Sequence, residues 1–176
     1  MRHILIVGHN GVGKSTVIRA LIEALPVPVC GVITKKEAPQ PDGFSPVYIH
    51  TYGAARHYGE DNRIGLCREG HSVAFPEAFD RFSQKMRFPR DGVIVFDELG
   101  FLESDAPLFT EAVLHTFDDA PLVLAAVRDK QTPFLDAVRS HPRADLYRID
   151  MENRDSLRET LLAVLPALLP ELLPRL

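Results

Sequence analysis

Cysteine is scarce in this chain: among 176 residues there are two, Cys30 and Cys67. Two thiols cannot build the disulfide framework of a small secreted domain. They show no C-x-x-C spacing, and with His71 they form no recognisable zinc pattern. Long apolar runs are missing as well. The opening run Ile4-Leu5-Ile6-Val7 is too short for a signal-peptide core or a membrane span. The leucine-rich tail is broken by Pro166, Pro170, Glu171, Pro174 and Arg175, which a bilayer does not accept. A reduced, cytoplasmic setting away from membranes is therefore expected. Nor is positive charge in excess. Twenty Lys and Arg against 24 Asp and Glu give a net charge of −4, which argues against a dedicated DNA or RNA binder. Lysine is rare within that total, five against fifteen arginines, so each lysine is conspicuous.

What remains is the balance of a folded chain, 45 % apolar and 25 % charged. Its length suits one domain over residues 1–176. Ile4 to Val7 lacks polar alternation and reads as a strand covered on both faces. Val17, Ile18, Leu21, Ile22 and Leu25 then recur at helical spacing, until Pro26 and Pro28 remove the backbone donors. Similar apolar runs occupy residues 29–33, 93–96, 122–127 and 146–149, with helices expected over 107–117, 132–140 and 153–165. Strands alternating with helices predict an α/β fold, a mostly parallel central sheet with helices on both faces. Residues 34–91 break that rhythm with Pro39, Pro41 and Pro46 and short strand-like pieces at 47–51, 63–67 and 72–75, then a helix at 77–86. They read as an antiparallel insertion, either a lid or an extension of the sheet. The Pro- and Leu-rich tail, 166–176, reads as a frayed helix end packed on the body; self-association or partner binding through it is the second reading.

The chemistry begins directly after the first strand. Gly8-His9-Asn10-Gly11-Val12-Gly13-Lys14-Ser15 fits G-x-x-x-x-G-K-[ST] at every position. Its glycines let the chain wrap with backbone N–H groups turned inward around a phosphate. The helix that follows adds unpaired N–H groups and the positive end of its dipole. In such a loop Lys14 reaches the β- and γ-phosphates, Ser15 coordinates Mg²⁺ and Thr16 touches the α-phosphate. His9, Asn10 and Val12 occupy variable positions that line the pocket.

The run at 93–96 ends in Asp97-Glu98, and a buried strand delivering acids at its carboxyl end is what Mg²⁺ needs opposite such a loop. Asp97 is the metal candidate and Glu98 the candidate to polarise an attacking water. Asp97-Glu98-Leu99-Gly100 also spells D-x-x-G, as a GTPase switch does. The guanine reader N-K-x-D is not supplied after Val127, where Arg128-Asp129-Lys130 stand. Arg128 follows the fourth apolar run and is a candidate for the cation that phosphoryl transfer needs. Lys130, Lys35, Lys36 and the insertion's Arg56, Arg63 and Arg68 are weaker candidates. Asn153 and Arg154 follow the last strand, where a base contact competes with ordinary helix capping by Asn153.

These residues resemble a known family, the small P-loop nucleoside-triphosphatases of the cancer-related or thermophile type. The resemblance covers most of residues 3–165. Gly8 to Thr16 is similar to its phosphate loop and Gly31-Val32-Ile33-Thr34 to its G-[FV]-x-T strand. Gly43-Phe44 resembles its G-F pair, and Asp97 to Glu103 resembles D-E-[IL]-G-x-M-E, with Phe109 beyond it. Glu152-Asn153-Arg154-Asp155 is similar to its E-N-R-D segment. The chain departs from the family after Thr34, where Lys35-Lys36-Glu37-Ala38 stand without an arginine, and before Gly43, where Gln40-Pro41-Asp42 stand. Membership implies a RecA-like fold and Mg²⁺-dependent hydrolysis of ATP or GTP with loose base preference. A small-molecule or nucleotide kinase built on the same loop is the alternative, and a non-catalytic nucleotide-binding interaction protein is the second.

Overall fold

The computed structural model describes residues 2–89 and 92–172. The last residues of the tail, 173–176, and the 90–91 end of the insertion lie outside them. Eight strands form one sheet: β1 (His3–Gly8), β2 (Val29–Lys36), β3 (Ser45–Thr51), β4 (Arg63–Arg68), β5 (His71–Ala74), β6 (Val93–Leu99), β7 (Leu122–Arg128) and β8 (Ala144–Arg148). Among the described residues five helices pack on it: α1 (Lys14–Glu23), α2 (Pro76–Ser83), α3 (Pro107–Asp119), α4 (Pro133–Arg139) and α5 (Arg154–Leu172). The spatial order is β5-β4-β3-β2-β6-β7-β1-β8. From β2 to β8 every pairing is parallel; from β2 to β5 every pairing is antiparallel.

Alternation along the central strands explains the layers. Leu5 and Val7, Ile94 and Phe96, Val123 and Ala125 face one side, against Phe79, Phe109 and Phe117 from α2 and α3. Ile4 and Ile6, Val93 and Val95, Leu122 and Leu124 face the other, against Val17, Leu21, Leu161 and Leu165 from α1 and α5. Both faces are dry, so the strands are apolar throughout. The insertion is a sheet extension: β3, β4 and β5 continue the sheet from the edge of β2, and α2 covers them through Phe79 and Phe82.

Several boundaries differ from the expectation, among them those of β2 and α5. β2 runs to Lys36, because Thr34, Lys35 and Lys36 pair with Ile49, Tyr48 and Val47 of β3. α5 continues past Leu165 and Pro166 to Leu172. Pro166 lies on the exposed stripe, and its fixed φ suits a helix. Leu161, Leu165 and Leu168 hold the buried stripe against the body. Among the described residues no helix is long and apolar enough to cross a membrane.

Candidate functional site

The carboxyl ends of β1, β2, β6 and β7 share one edge, where open α/β sheets bind ligands. Residues 9–13 span the turn from β1 to α1. Gly11 and Gly13 take φ of +77° and +106°, which side chains rarely adopt. A methyl group on Gly8 would lie 2.6 Å from the Ile149 carbonyl oxygen, so the loop passes close beside the end of β8. Gly13 caps α1 with no side-chain hydrogen bond. The first-turn N–H groups of Lys14, Ser15 and Thr16 therefore have no intrahelical partner, and they carry the helix's positive end.

Lys14 is buried, and its Nζ donates to the carbonyls of Gly8 at 2.8 Å and His9 at 2.7 Å. Burial lowers its pKa; the charge of Glu98 opposes that and the charge of Arg128 adds to it. Lys14, Glu98 and Arg128 are thus within electrostatic reach of one another. His9, Asn10, Ser15 and Thr16 are exposed around the loop, while Val12 packs on the α1 and α5 side of the core.

The acid pair sits in a bulge. Register moves from Phe96–Ala125 to Leu99–Val127, so β6 spends one more residue than β7 over this step. The Oδ1 of Asp97 accepts the Thr34 backbone N–H at 2.8 Å and lies 3.4 Å from the Thr34 hydroxyl. Burial pushes the Asp97 carboxyl up to about 7, the Thr34 bonds pull against that, and the Glu98 charge pushes further in the same direction as burial. Glu98 turns the other way: its Oε1 accepts Arg128 Nε at 2.7 Å. The Arg128 guanidinium lies over the Phe101 ring at 5.4 Å, and Lys130 Nζ lies over it at 4.4 Å.

Two supports, Thr34 and Glu103, have no assigned role in the sequence reading, and a third, Arg154, was named there only beside a base contact. Thr34 holds Asp97. Glu103 is buried and accepts the Gly100 N–H at 2.6 Å, which closes the turn behind the acids. Burial raises its carboxyl to about 7. Arg154 lies against the phosphate loop, its Cδ 3.6 Å from where a Gly13 methyl would be, and its guanidinium reaches Met151 Sδ at 4.0 Å. Thr34, Glu103 and Arg154 all stand inside the motifs quoted above, which was the available signal; their contacts are long-range or conformational. Asn153 is engaged within its own loop, accepting from Asp150 N–H and donating to the Arg148 carbonyl. Arg63 lies over Phe75, 3.8 Å from Glu60, and Arg56 is exposed; neither borders the cavity beside the acids.

That cavity, about 750 Å³, opens from Asn10 and Glu98 toward the β4–β5 hairpin. Val47, Ile64, Phe79 and Leu102 supply apolar lining, and Lys36, Arg68 and Lys130 supply charge.

Comparison with known proteins bears on the family and the fold. Residues 3–162 match the family described as NTPase. Nucleoside-triphosphatase THEP1 of Natranaerobius thermophilus is 27 % identical over 165 residues, covering 90 % of this chain and 93 % of that one. The cancer-related nucleoside-triphosphatase of Homo sapiens is 27 % identical over 180 residues, covering 89 % and 92 %. The crystal structure of THEP1 from the hyperthermophile Aquifex aeolicus superposes with a TM-score of 0.59 at 20 % identity, over 94 % of this chain and 99 % of that one, which supports the fold.

Proposed function

Because the chain belongs to this NTPase family, a nucleoside-triphosphate phosphohydrolase, we propose that it cleaves the γ-phosphate of ATP or GTP, that it depends on Mg²⁺ and that it is loose in its choice of base. The observation that carries this reading is that the Glu98–Arg128 pair and the buried Lys14, whose Nζ is held on the carbonyl of Gly8 in register with Arg128, lie beside the open amides of α1. The amides from Gly11 to Thr16 cradle the triphosphate, with His9 and Asn10 on the rim and Lys14 turned to the β- and γ-oxygens. Lys14 must exchange its two loop carbonyls for phosphate oxygens, which are the stronger partners for an ammonium.

The donor set fits a hard divalent cation: a carboxylate on Asp97 and a hydroxyl on Ser15, both oxygen ligands. The desolvated Asp97, beside a like charge, also gains from a cation. Mg²⁺ held there by Asp97 and Ser15 would supply positive charge against the triphosphate. Glu98 orients a water and accepts its proton as the new P–O bond forms and the bond to the bridging oxygen breaks, leaving nucleoside diphosphate and phosphate. Arg128, already held on Glu98, offers the compensating charge in cis. The base contact falls to the loop after β8, to Asn153 with Met151 and Arg154 beside it. A thioether and a guanidinium plane stack on any base, which supports loose preference.

Turnover of ATP and GTP with Mg²⁺ by the wild type, Lys14→Ala and Glu98→Gln tests this. Lys14→Ala should lose nucleotide binding and hydrolysis together. Glu98→Gln should keep nucleotide binding and lose about 100-fold or more in kcat. Normal hydrolysis by Glu98→Gln would remove the base assignment.

A further inference from the structure

We infer that the cavity between the acid pair and the β4–β5 hairpin binds a second substrate, a phosphate-bearing small molecule whose free hydroxyl receives the γ-phosphoryl group. This rests on the phosphate-loop reading above and adds an acceptor to it. The first argument is size. An attacking water needs about 30 Å³, whereas the cavity holds about 750 Å³ and opens at Glu98 and Asn10. A cavity of that volume beside the general base accommodates a metabolite-sized nucleophile.

The second argument is charge. Lys36, Arg68 and Lys130 border the cavity, and among the described residues none of the three has an ion-pair partner. Of the acids that border it, Glu98 is paired with Arg128 and Glu103 is committed to Gly100 N–H, which leaves Glu69. Three cations against one acid suit a dianionic phosphate. The third argument is preorganisation. Arg68 lies 4.5 Å over the Phe44 ring, His71 makes an edge contact with the same ring at 5.8 Å, and Lys130 lies over Phe101. Aromatic shelves hold two of the three cations at the cavity wall without neutralising them.

In the transfer, the acceptor hydroxyl oxygen bonds to the γ-phosphorus and its proton passes to Glu98. The bond between the γ-phosphorus and the bridging oxygen breaks, and nucleoside diphosphate leaves. Hydrolysis is then the reaction seen when water occupies the acceptor's place.

The experiment uses γ-³²P-labelled ATP with Mg²⁺ and two probe classes, nucleoside 5′-monophosphates and glycerol 3-phosphate. Wild type, Arg68→Ala and Arg68→Lys are compared. Wild type should label one class, which identifies the source of the phosphate-bearing acceptor. Arg68→Ala should raise the acceptor KM at least tenfold, leave acceptor-free hydrolysis within twofold, and be partly rescued by Arg68→Lys. Release of phosphate from ATP with no labelled acceptor and no competition by either probe would overturn the inference and leave the hydrolytic reading standing. Equal transfer by wild type and Arg68→Ala would overturn the assignment of the cavity. A wild type that turns over no nucleotide at all would remove the phosphate-loop reading and this one with it.

Discussion

Replacing Gly31 by alanine would drive a methyl group into the backbone of β6. Gly31 sits in β2 opposite Val95 with φ of +137°. A β-carbon there would lie 2.0 Å from the Val95 carbonyl oxygen and 2.6 Å from its nitrogen. Real β-carbons essentially never come within 3.0 Å of another atom, so the two strands must part by about 1 Å. β6 is buried between β2 and β7 and cannot yield without loosening its ladder. Two weakened ladder bonds cost about 2 kcal/mol and the positive φ about 1–2 kcal/mol more. The total, about 3–4 kcal/mol, is a large part of an ordinary domain's stability. At roughly 2–4 °C per kcal/mol for a chain of this size, Tm should fall by about 6–16 °C. Gly70→Ala is the control: its φ is +69° but no atom lies within 4 Å of the added methyl. It should show the backbone cost alone, about 1–2 kcal/mol. Thermal melts followed by far-UV circular dichroism suit a chain with no tryptophan. If Gly31→Ala melts with Gly70→Ala, the close approach of β2 to β6 is not what demands glycine.

Glu103 gives a prediction about pH. Its folded pKa of about 7 lies above the ordinary 4.5, so the folded state binds the proton more tightly. That contribution to stability is present in full below about pH 4.5 and is lost as pH rises to about 7. Glu103→Gln keeps an acceptor for Gly100 N–H and cannot titrate, so its stability relative to wild type should rise across that window by on the order of 2–3 kcal/mol. Denaturant melts at pH 4.5 and 8 measure the difference, and a constant offset between the two proteins would refute it. Arg128→Ala should lower kcat for ATP by about 10³-fold with little change in KM, as for an arginine acting at the transition state. Unchanged kcat in steady-state assays would return Arg128 to a structural partner of Glu98.

The central layers were legible because burial on both faces leaves an unmistakable mark: Ile4 to Val7, Val93 to Phe96 and Leu122 to Val127 carry no polar residue. The antiparallel pieces after Thr34 were legible as strands, but whether they formed a lid or joined the sheet depends on β2–β3 pairing, which is long-range. Polar Lys35 and Lys36 read as a strand end because nothing local announces their partners on β3. The prolines after Leu165 read as the start of a frayed helix end, whereas packing of Leu165 and Leu168 keeps the helix going past Pro166. At the candidate site, Lys14, Ser15, Asp97 and Glu98 stood out because their chemistry is tied to fixed spacing. Thr34 and Arg154 act through contacts between residues far apart in the chain, and Glu103 through a local turn that spacing alone does not announce.

The irregular step between Phe96 and Leu99 has a mechanical corollary. In a regular strand, two successive side chains address opposite layers of the fold. Here they address lateral neighbours instead, Asp97 answering to Thr34 on one flank and Glu98 to Arg128 on the other. β6 behaves as a yoke, with each arm tethered to a different half of the sheet. A shift in the β2 half reaches Asp97 first and a shift in the β7 half reaches Glu98 first, and the charge of Glu98 passes either shift on to its neighbour.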